Sequence, residues 1–126
     1  DAAGLEAIHR RKTGALLAAS LRVGALAAGA GEAALAALTV YGEEVGLAFQ
    51  IVDDVLDVTA DADTLGKTAG KDVESGKATY PSLYGVDGAR ALAAARVERA
   101  VAALKGGAVA SPELEALARY VLERRG

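Results

Sequence analysis

The hydrophobic pattern divides the first half of the chain into two long helices. Residues 2–29 are apolar on nearly every side after Lys12, which is typical of a buried helix. Gly29 and Gly31 interrupt this pattern, and a second apolar pattern of helical length covers residues 32–59. The sequence therefore predicts two long helices joined by a glycine-containing turn.

The second half of the chain predicts a polar loop followed by two shorter helices. Residues 60–80 are polar and contain three glycines, and Pro81 marks the return of regular structure. Asp87 is a good N-cap for a helix that ends at Gly106–Gly107. Ser111–Pro112 predicts the start of a last helix, which ends near the final "LERRG". No strand pattern is evident, so the sequence predicts an all-α fold.

Composition agrees with a small helical protein. Hydrophobic residues make up 52% and charged residues 25% of the 126 residues, which is typical of one globular domain. The chain is rich in alanine and has only four Tyr and one Phe, which suits closely packed helices. Because alanine buries little area, such a core is thin for a free-standing domain and suggests a fragment or an obligate oligomer.

Charge and cysteine content narrow the partners and the location. A net charge of −3 argues against nucleic acid, for which a basic surface is expected. The chain has no cysteine, which excludes disulfides and thiolate metal sites and favours a cytoplasmic location. The start "DAAGLE" does not predict a signal peptide, and uncharged runs of about ten residues fall short of a membrane span, so we expect a soluble protein.

The segment "GLAFQIVDDVLD", residues 46–57, places carboxylates on one face of the second helix. Its three aspartates are not equivalent, because Asp54 points to the side whereas Asp53 and Asp57 share a face. Within about 60° of Asp53 on a helical wheel lie Gln50, Phe49, Gly46 and Gly42. The opposite, apolar face carries Leu47, Ile51, Val55 and Val58.

This face has two interpretations. Glycines weaken a helix, so two of them beside the carboxylates indicate that something approaches the backbone there. Two oxygen ligands one turn apart suit Mg²⁺, which bridges carboxylates to substrate phosphates. The alternative is a solvated acidic face that happens to be rich in glycine.

Lys12 is the first of several lysines whose positive charge could complement these carboxylates. It interrupts an apolar stripe formed by Leu5, Ile8, Leu16, Ala19 and Val23. A buried lysine needs a partner. That partner is either an anionic ligand or a carboxylate, one of the three aspartates among them.

Lys67, Lys71 and Lys77 follow in the predicted loop. Its "LGKT" is not the end of a P-loop, because Asp61 stands where the first glycine is required and no strand precedes it. A diphosphate with Mg²⁺ would bring these lysines and the carboxylates together.

Four motifs in order resemble one known family. They are "KTGALL" at 12–17, "GLAFQIVDDVLD" at 46–57, "LGKTAGKD" at 65–72 and "GKATYP" at 76–81. Together they resemble the C-terminal part of the trans-isoprenyl diphosphate synthases, most of all bacterial farnesyl or geranylgeranyl diphosphate synthases. The resemblance implies the C-terminal helices of the class I isoprenoid synthase bundle, usually a homodimer.

The resemblance also implies a reaction. An allylic diphosphate ionises with the help of Mg²⁺, the carbocation alkylates isopentenyl diphosphate, and a proton is lost. Asp53 is similar to a direct Mg²⁺ ligand, and Asp54 and Asp57 are similar to residues that support it. The residues similar to diphosphate-binding lysines are Lys12, Lys67 and Lys77.

The remaining matches lie beside the reacting groups. Thr13 and Gln50 resemble the polar groups that face the carbocation. Phe49, Arg124 and Arg125 resemble residues near isopentenyl diphosphate. The two arginines are alternatively ordinary partners of a helix C-terminus.

The family's N-terminal half has no counterpart in these residues. The first aspartate-rich motif and the arginines after it are missing. We therefore expect residues 1–126 to be the C-terminal portion of a single all-α domain, with no condensation activity alone. Two other interpretations stay open: a class I terpene cyclase, and a non-catalytic regulatory homologue that binds a partner. His9 stands outside the motifs and is more typical of a surface or interface residue than of a catalyst.

Overall fold

A computed structural model describes residues 1–64 and 78–125, with side chains for residues 1–60 and 78–125. These ranges are helical and contain no strand, which confirms the all-α prediction for them. The elements are α1 (Ala2–His9), a π-helical turn (Arg10–Gly14), α2 (Ala15–Ala27), α3 (Glu32–Thr64), α4 (Tyr80–Gly106) and α5 (Pro112–Glu123).

Helix α1, the π-helical turn and α2 form one continuous rod, as the pattern of residues 2–29 predicts. The rod ends in a Schellman motif, in which Ala30 N donates to Ala25 O at 2.9 Å and Gly29 N donates to Leu26 O at 3.1 Å. Gly29 has a φ of 77°, which glycine adopts without the clash that a side chain would cause. The predicted glycine turn is therefore confirmed.

The prediction that this rod is buried is wrong. Ile8, Leu16 and Val23 are 61%, 67% and 68% exposed, and Lys12, which lies among them, is exposed as well. Only the face that carries Leu5, Ala18 and Ala25 is buried. A helix that is apolar on all sides does not show which of its sides packs against another helix. Within the described residues, only one side of this rod does so.

Helix α3 is the centre of the fold and packs against the rod, α4 and α5. The largest fully buried side chains are Tyr41, Leu47, Ile51, Val55 and Val97, four of which belong to α3. The helix extends to Thr64, past the predicted end at residue 59, so the predicted loop is shorter than residues 60–80. Residues 65–77 of that loop lie outside the described ranges.

Gly42 and Gly46 allow the rod to approach α3 closely. A Cβ atom on Gly42 would lie 2.7 Å from Ala18 Cα, and one on Gly46 would lie 2.8 Å from Gly14 Cα. Real Cβ atoms essentially never come so close to other atoms. The sequence prediction that something approaches this backbone is confirmed, and what approaches is the neighbouring helix.

Helix α4 begins at Tyr80, so the prediction of Asp87 as its N-cap is wrong. The N-cap is Thr79, which forms a capping box with Ser82: Ser82 N donates to Thr79 Oγ1 at 3.2 Å, and Thr79 N donates to Ser82 Oγ at 2.9 Å. Pro81 lies in the first turn, where it was predicted to restart structure. Gly85, at φ 75° and ψ 167°, kinks the helix, which explains why the pattern suggests a later start.

The last two predicted helix ends are confirmed. Helix α4 stops at Gly106 with Gly107 as its C-cap, and the next residue, Ala108, has a φ of 55°. A Cβ atom on Gly107 would collide with Ala37 Cβ at the start of α3. Helix α5 begins at Pro112, and Ser111 Oγ caps it by accepting from Leu114 N at 3.2 Å.

Helix α3 also has the length and hydropathy of a membrane span. Residues Glu32–Ala60 contain a window with a mean hydropathy of 1.3, and 56% of that window is buried inside the protein. A helix at the centre of a helical bundle has the same composition. Length and hydropathy are therefore weak evidence for a span here.

Candidate active-site cleft

A cleft of about 790 Å³ opens between the rod, α3 and the start of α4. Six residues that the sequence singles out line it: Lys12, Gln50, Asp53, Asp54, Asp57 and Arg125. His9 and Thr79 line it as well, and the sequence assigned neither of them to the site. The cleft thus combines acidic, basic and amide groups from elements far apart in the chain.

Asp53 is the most accessible of the three aspartates. Half of its side chain is exposed, and its Oδ1 accepts a hydrogen bond from Arg124 Nη2 at 2.9 Å. Asp57 lies one turn further along α3, and its Oδ2 is buried without a hydrogen-bond partner in the described residues. A buried carboxylate oxygen without a partner is costly, so this atom has an unmet need for a cation or a donor.

Asp54 has a different environment. It is 9% exposed, and its Oδ2 accepts from the backbone N–H of Tyr80 at 3.1 Å. Tyr80 is the first residue of α4, and the positive end of a helix dipole stabilises a carboxylate. Asp54 therefore joins α3 to the start of α4, and its predicted role near the metal stays a prediction.

Thr13 and Gln50 are hydrogen-bonded to each other, and their predicted roles beside the carbocation stay predictions. Gln50 Nε2 donates to Thr13 Oγ1 at 2.9 Å, which joins the π-helical turn to α3. Because Gln50 donates through Nε2, its Oε1 is left for another group. Gln50 lines the cleft and Thr13 lies behind it.

Lys12 projects from the same π-helical turn into the cleft. It forms no ion pair with the side chains of residues 1–60 or 78–125, so the alternative of a pair with one of the three aspartates is not observed. π-Helical turns interrupt α-helices often at functional sites. Lys67 and Lys77, and Lys71 with them, lie outside the described residues.

Arg124 and Phe49 form a separate group at the edge of the cleft. The guanidinium carbon of Arg124 lies 3.9 Å from the centroid of the Phe49 ring, and Arg124 Nη2 donates to the carbonyl of Phe49 at 2.9 Å. The same nitrogen binds Asp53. Two of the three residues predicted near isopentenyl diphosphate, Phe49 and Arg124, are thus in contact beside Asp53, a predicted metal ligand.

The donor set fits Mg²⁺. Asp53 and Asp57 offer carboxylate oxygens one turn apart, and one of those oxygens is buried without a partner. No group of three His, Cys, Asp or Glu side chains suited to a metal occurs in the part of the chain that is described. Mg²⁺ usually binds through one or two carboxylates, several waters and substrate phosphates, so two carboxylates are sufficient for such a site.

An ion-pair network behind the cleft was missed by the sequence analysis. Arg10 Nε binds Glu6 Oε1 at 2.8 Å, and Arg96 Nη2 binds Glu6 Oε2 at 3.1 Å. Both arginines also bind the buried Glu44, each at 3.3 Å. The hydrogen bond from Arg10, with the charge of Arg96, holds the pKa of Glu6 below its ordinary value. The network joins the start of the π-helical turn to α3 and α4.

His9 and Tyr80 stack beside the cleft, where α1 meets the start of α4, with ring centroids 5.7 Å apart. Burial raises the pKa of Tyr80 to about 12, so its hydroxyl stays protonated at neutral pH. His9 is half-buried, and its predicted non-catalytic role stays a prediction. The "TYPS" sequence at residues 79–82 could have located the start of α4, because it contains the capping-box pair Thr79 and Ser82.

Comparisons with known proteins identify the family to which the chain is similar. The family model for polyprenyl synthetase matches residues 2–111. The farnesyl diphosphate synthase of Escherichia coli (strain K12) is 50% identical over 124 residues, covering 95% of this chain and 42% of that protein. A dimethylallyltranstransferase of Fischerella ambigua (strain UTEX 1903) is 48% identical, covering 98% of this chain and 36% of the relative.

A solved structure gives the same result for the fold. The crystal structure of a protein from Marinomonas sp. MED121, provisionally described as a farnesyl-diphosphate synthase, superposes with a TM-score of 0.73 at 40% identity. It covers 95% of this chain and 39% of that one. The chain thus spans less than half the length of the relatives it matches. The family match covers most of its residues, and the chain belongs to the polyprenyl synthetase family.

Proposed function

We propose that this chain supplies the diphosphate-ionising part of a short-chain prenyltransferase. That enzyme would condense isopentenyl diphosphate with an allylic diphosphate to give farnesyl or geranylgeranyl diphosphate. The observation that carries the proposal is the single cleft into which Lys12, Gln50, Asp53 and Asp57 all project. The relatives named as farnesyl diphosphate synthase and dimethylallyltranstransferase support it.

The acidic side of the cleft would hold Mg²⁺. Asp53 and Asp57 would provide the carboxylate ligands, and Asp54 would support them from the start of α4. When bound, Mg²⁺ neutralises a diphosphate and makes it a better leaving group. Lys12, which has no competing ion pair in the described residues, would neutralise the same leaving group from the rod, and Lys67 and Lys77 are proposed to help.

The amide side of the cleft would stabilise the carbocation. Thr13 holds Nε2 of Gln50, which would leave Oε1 to face a positive charge in the cleft. Fixed dipoles of this kind stabilise developing charge without having to reorganise. The apolar residues Leu5, Ile8 and Leu56 line the same cleft and would exclude water from a cation that water would quench.

A chimeric enzyme tests this proposal. In the Escherichia coli farnesyl diphosphate synthase, the segment that this chain matches would be replaced by the chain itself. Turnover of isopentenyl diphosphate with an allylic diphosphate is then measured in Mg²⁺. We expect an active chimera, from which Asp53→Asn removes about 10²-fold or more of the turnover.

The matched control is Asp87→Asn, which removes an exposed carboxylate of α4 outside the cleft. We expect it to leave turnover unchanged. A folded chimera whose Asp53→Asn variant keeps full turnover would contradict the proposal. Products formed without isopentenyl diphosphate would favour the terpene cyclase, and a folded but inactive chimera that binds neither substrate would favour the regulatory homologue.

The chain alone is proposed to lack condensation activity. It spans less than half of the relatives it matches, and its described residues offer one carboxylate pair for metal. Turnover by the isolated chain, assayed beside the chimera, would contradict this. We also propose that the assembled enzyme is a cytoplasmic homodimer. Analytical sedimentation of the chimera would test whether it is a dimer.

A further inference from the structure

Arg124 is in contact with Asp53, the carboxylate to which the proposed function assigns the metal. It follows directly after α5, and its side chain is only 9% exposed. One nitrogen, Nη2, donates both to the Asp53 carboxylate and to the Phe49 carbonyl, each at 2.9 Å. The guanidinium carbon also lies over the Phe49 ring, 3.9 Å from its centroid, where a cation is attracted to the ring face.

The contact is well defined but incomplete. A buried guanidinium has five N–H donors, and burial is costly for donors that have no partner. Arg124 Nε is buried and has no hydrogen-bond partner among residues 1–60 and 78–125. Arg124 is therefore held by Asp53 and Phe49 without being fully satisfied there, as expected of a side chain that can leave this position.

Asp53 is the carboxylate to which the proposed function assigns Mg²⁺. A guanidinium and a divalent cation on one carboxylate repel each other strongly at such short range. The inference rests on the proposed function in this one respect. We propose that Arg124 is a latch: it occupies Asp53 while the metal is absent, and it is displaced from Asp53 when Mg²⁺ and a diphosphate bind.

Release of the latch would change the end of α5. Displacement from Asp53 frees the end of α5, where Arg124 is followed by Arg125, a residue that lines the cleft. Two cationic side chains then become available for a second anion at the edge of the cleft.

The first test titrates Mg²⁺ into the 126-residue chain in the presence of inorganic pyrophosphate and measures the binding by calorimetry. Arg124→Gln removes the cation that competes with Mg²⁺ for Asp53. The ion pair between Arg124 and Asp53 is weak because the Asp53 carboxylate is half exposed, so the expected gain is modest: Mg²⁺ should bind about three- to tenfold more tightly. The matched control is Arg22→Gln. Arg22 binds Thr39, which lies 14 residues before Asp53 on α3, or about 21 Å along the helix.

A second test observes the latch directly. The chain contains one phenylalanine, so biosynthetic fluorophenylalanine places a single ¹⁹F label on the ring beneath Arg124. In the wild-type chain we expect Mg²⁺ with pyrophosphate to move the ¹⁹F resonance towards its position in Arg124→Gln. In Arg124→Gln the same addition should move it little, because the guanidinium is already absent.

The outcomes separate the latch from the proposed function. If the wild-type chain binds no Mg²⁺ with pyrophosphate, the proposed metal site is wrong and the latch falls with it. If the wild type binds but Arg124→Gln binds equally or more weakly, the latch alone is overturned, and a weaker affinity would mean that Arg124 orients Asp53. Metal binding that leaves the wild-type ¹⁹F resonance unmoved would also overturn the latch.

Discussion

Substitution of Gly46 by alanine tests the close approach of the rod to α3. The added Cβ would lie 2.8 Å from Gly14 Cα, 3.0 Å from Gly14 N and 3.3 Å from the carbonyl carbon of Thr13. All three are backbone atoms, which cannot swing aside as the end of a side chain can. The helices must therefore separate, and overpacking of this kind costs about 1–3 kcal/mol.

A gain in helix propensity partly offsets this cost. Alanine is about 1 kcal/mol better than glycine inside a helix, so the net loss for Gly46→Ala is about 1 kcal/mol. Among the described residues, no atom outside the neighbouring backbone of α2 lies within 4 Å of the position of a Cβ on Gly24, so Gly24→Ala keeps the gain without the clash. The same substitution should thus change the free energy of unfolding in opposite directions, with the two variants about 2 kcal/mol apart.

Urea and thermal unfolding followed by circular dichroism measure this difference. For a chain of this length, 1 kcal/mol corresponds to a Tm shift of about 4 °C, so the two variants should differ by about 8 °C. If Gly46→Ala were as stable as Gly24→Ala, the close approach would not exist. In the chimera we also expect Gly46→Ala to lower turnover, because separating the helices would stretch the hydrogen bond between Thr13 and Gln50.

Three further predictions concern the parts of the fold around the cleft. Ala108→Gly should raise the free energy of unfolding by about 1 kcal/mol in urea titrations, because the φ of 55° favours glycine; no gain would contradict that conformation. Glu44→Ala should lower the free energy of unfolding by about 3 kcal/mol, because it leaves Arg10 and Arg96 without a shared buried partner; a loss below that of a surface pair would contradict the network. The pKa of Glu6 is lowered in the folded chain, so its stabilising contribution is present above its ordinary value of 4.5 and is lost as the pH falls through the lowered pKa. Acid unfolding curves should show this loss in the wild type and less of it in Glu6→Gln.

Part of the site could be predicted because several of its residues lie on the same helix, α3. A helical wheel is sufficient to place Asp53, Asp57 and Gln50 on one face of α3, and these three residues line the cleft. The start of α5 at Ser111 and Pro112 follows from local capping chemistry in the same way. Features that depend on neighbouring residues are readable from one sequence.

The contacts that the sequence could not predict join distant parts of the chain. Arg124 and Asp53 are 71 residues apart, and Arg96 and Glu6 are 90 apart. No local pattern reports such pairs. The burial of the first rod was misjudged for the same reason, because the pattern of one helix does not specify which of its faces another helix will cover.

Asp54 shows a second limit. The helical wheel separates it from Asp53 and Asp57, but it does not show that an oxygen of Asp54 accepts from the first N–H group of α4. The start of α4 could have been found from Thr79 and Ser82, whereas its position beside Asp54 depends on how α3 and α4 pack. A motif therefore identifies the residues of a site more reliably than the role of each one.

The central claim is that Asp53 and Asp57 hold a divalent cation against a diphosphate. Anomalous diffraction from crystals of the chain grown with Mn²⁺ and inorganic pyrophosphate tests it most directly, because Mn²⁺ takes the same oxygen ligands as Mg²⁺. We predict an anomalous peak in the cleft, coordinated by carboxylate oxygens of Asp53 and Asp57 and by a pyrophosphate oxygen, with Lys12 beside the pyrophosphate. Pyrophosphate bound away from Lys12, or a cleft without an anomalous peak, would contradict the claim.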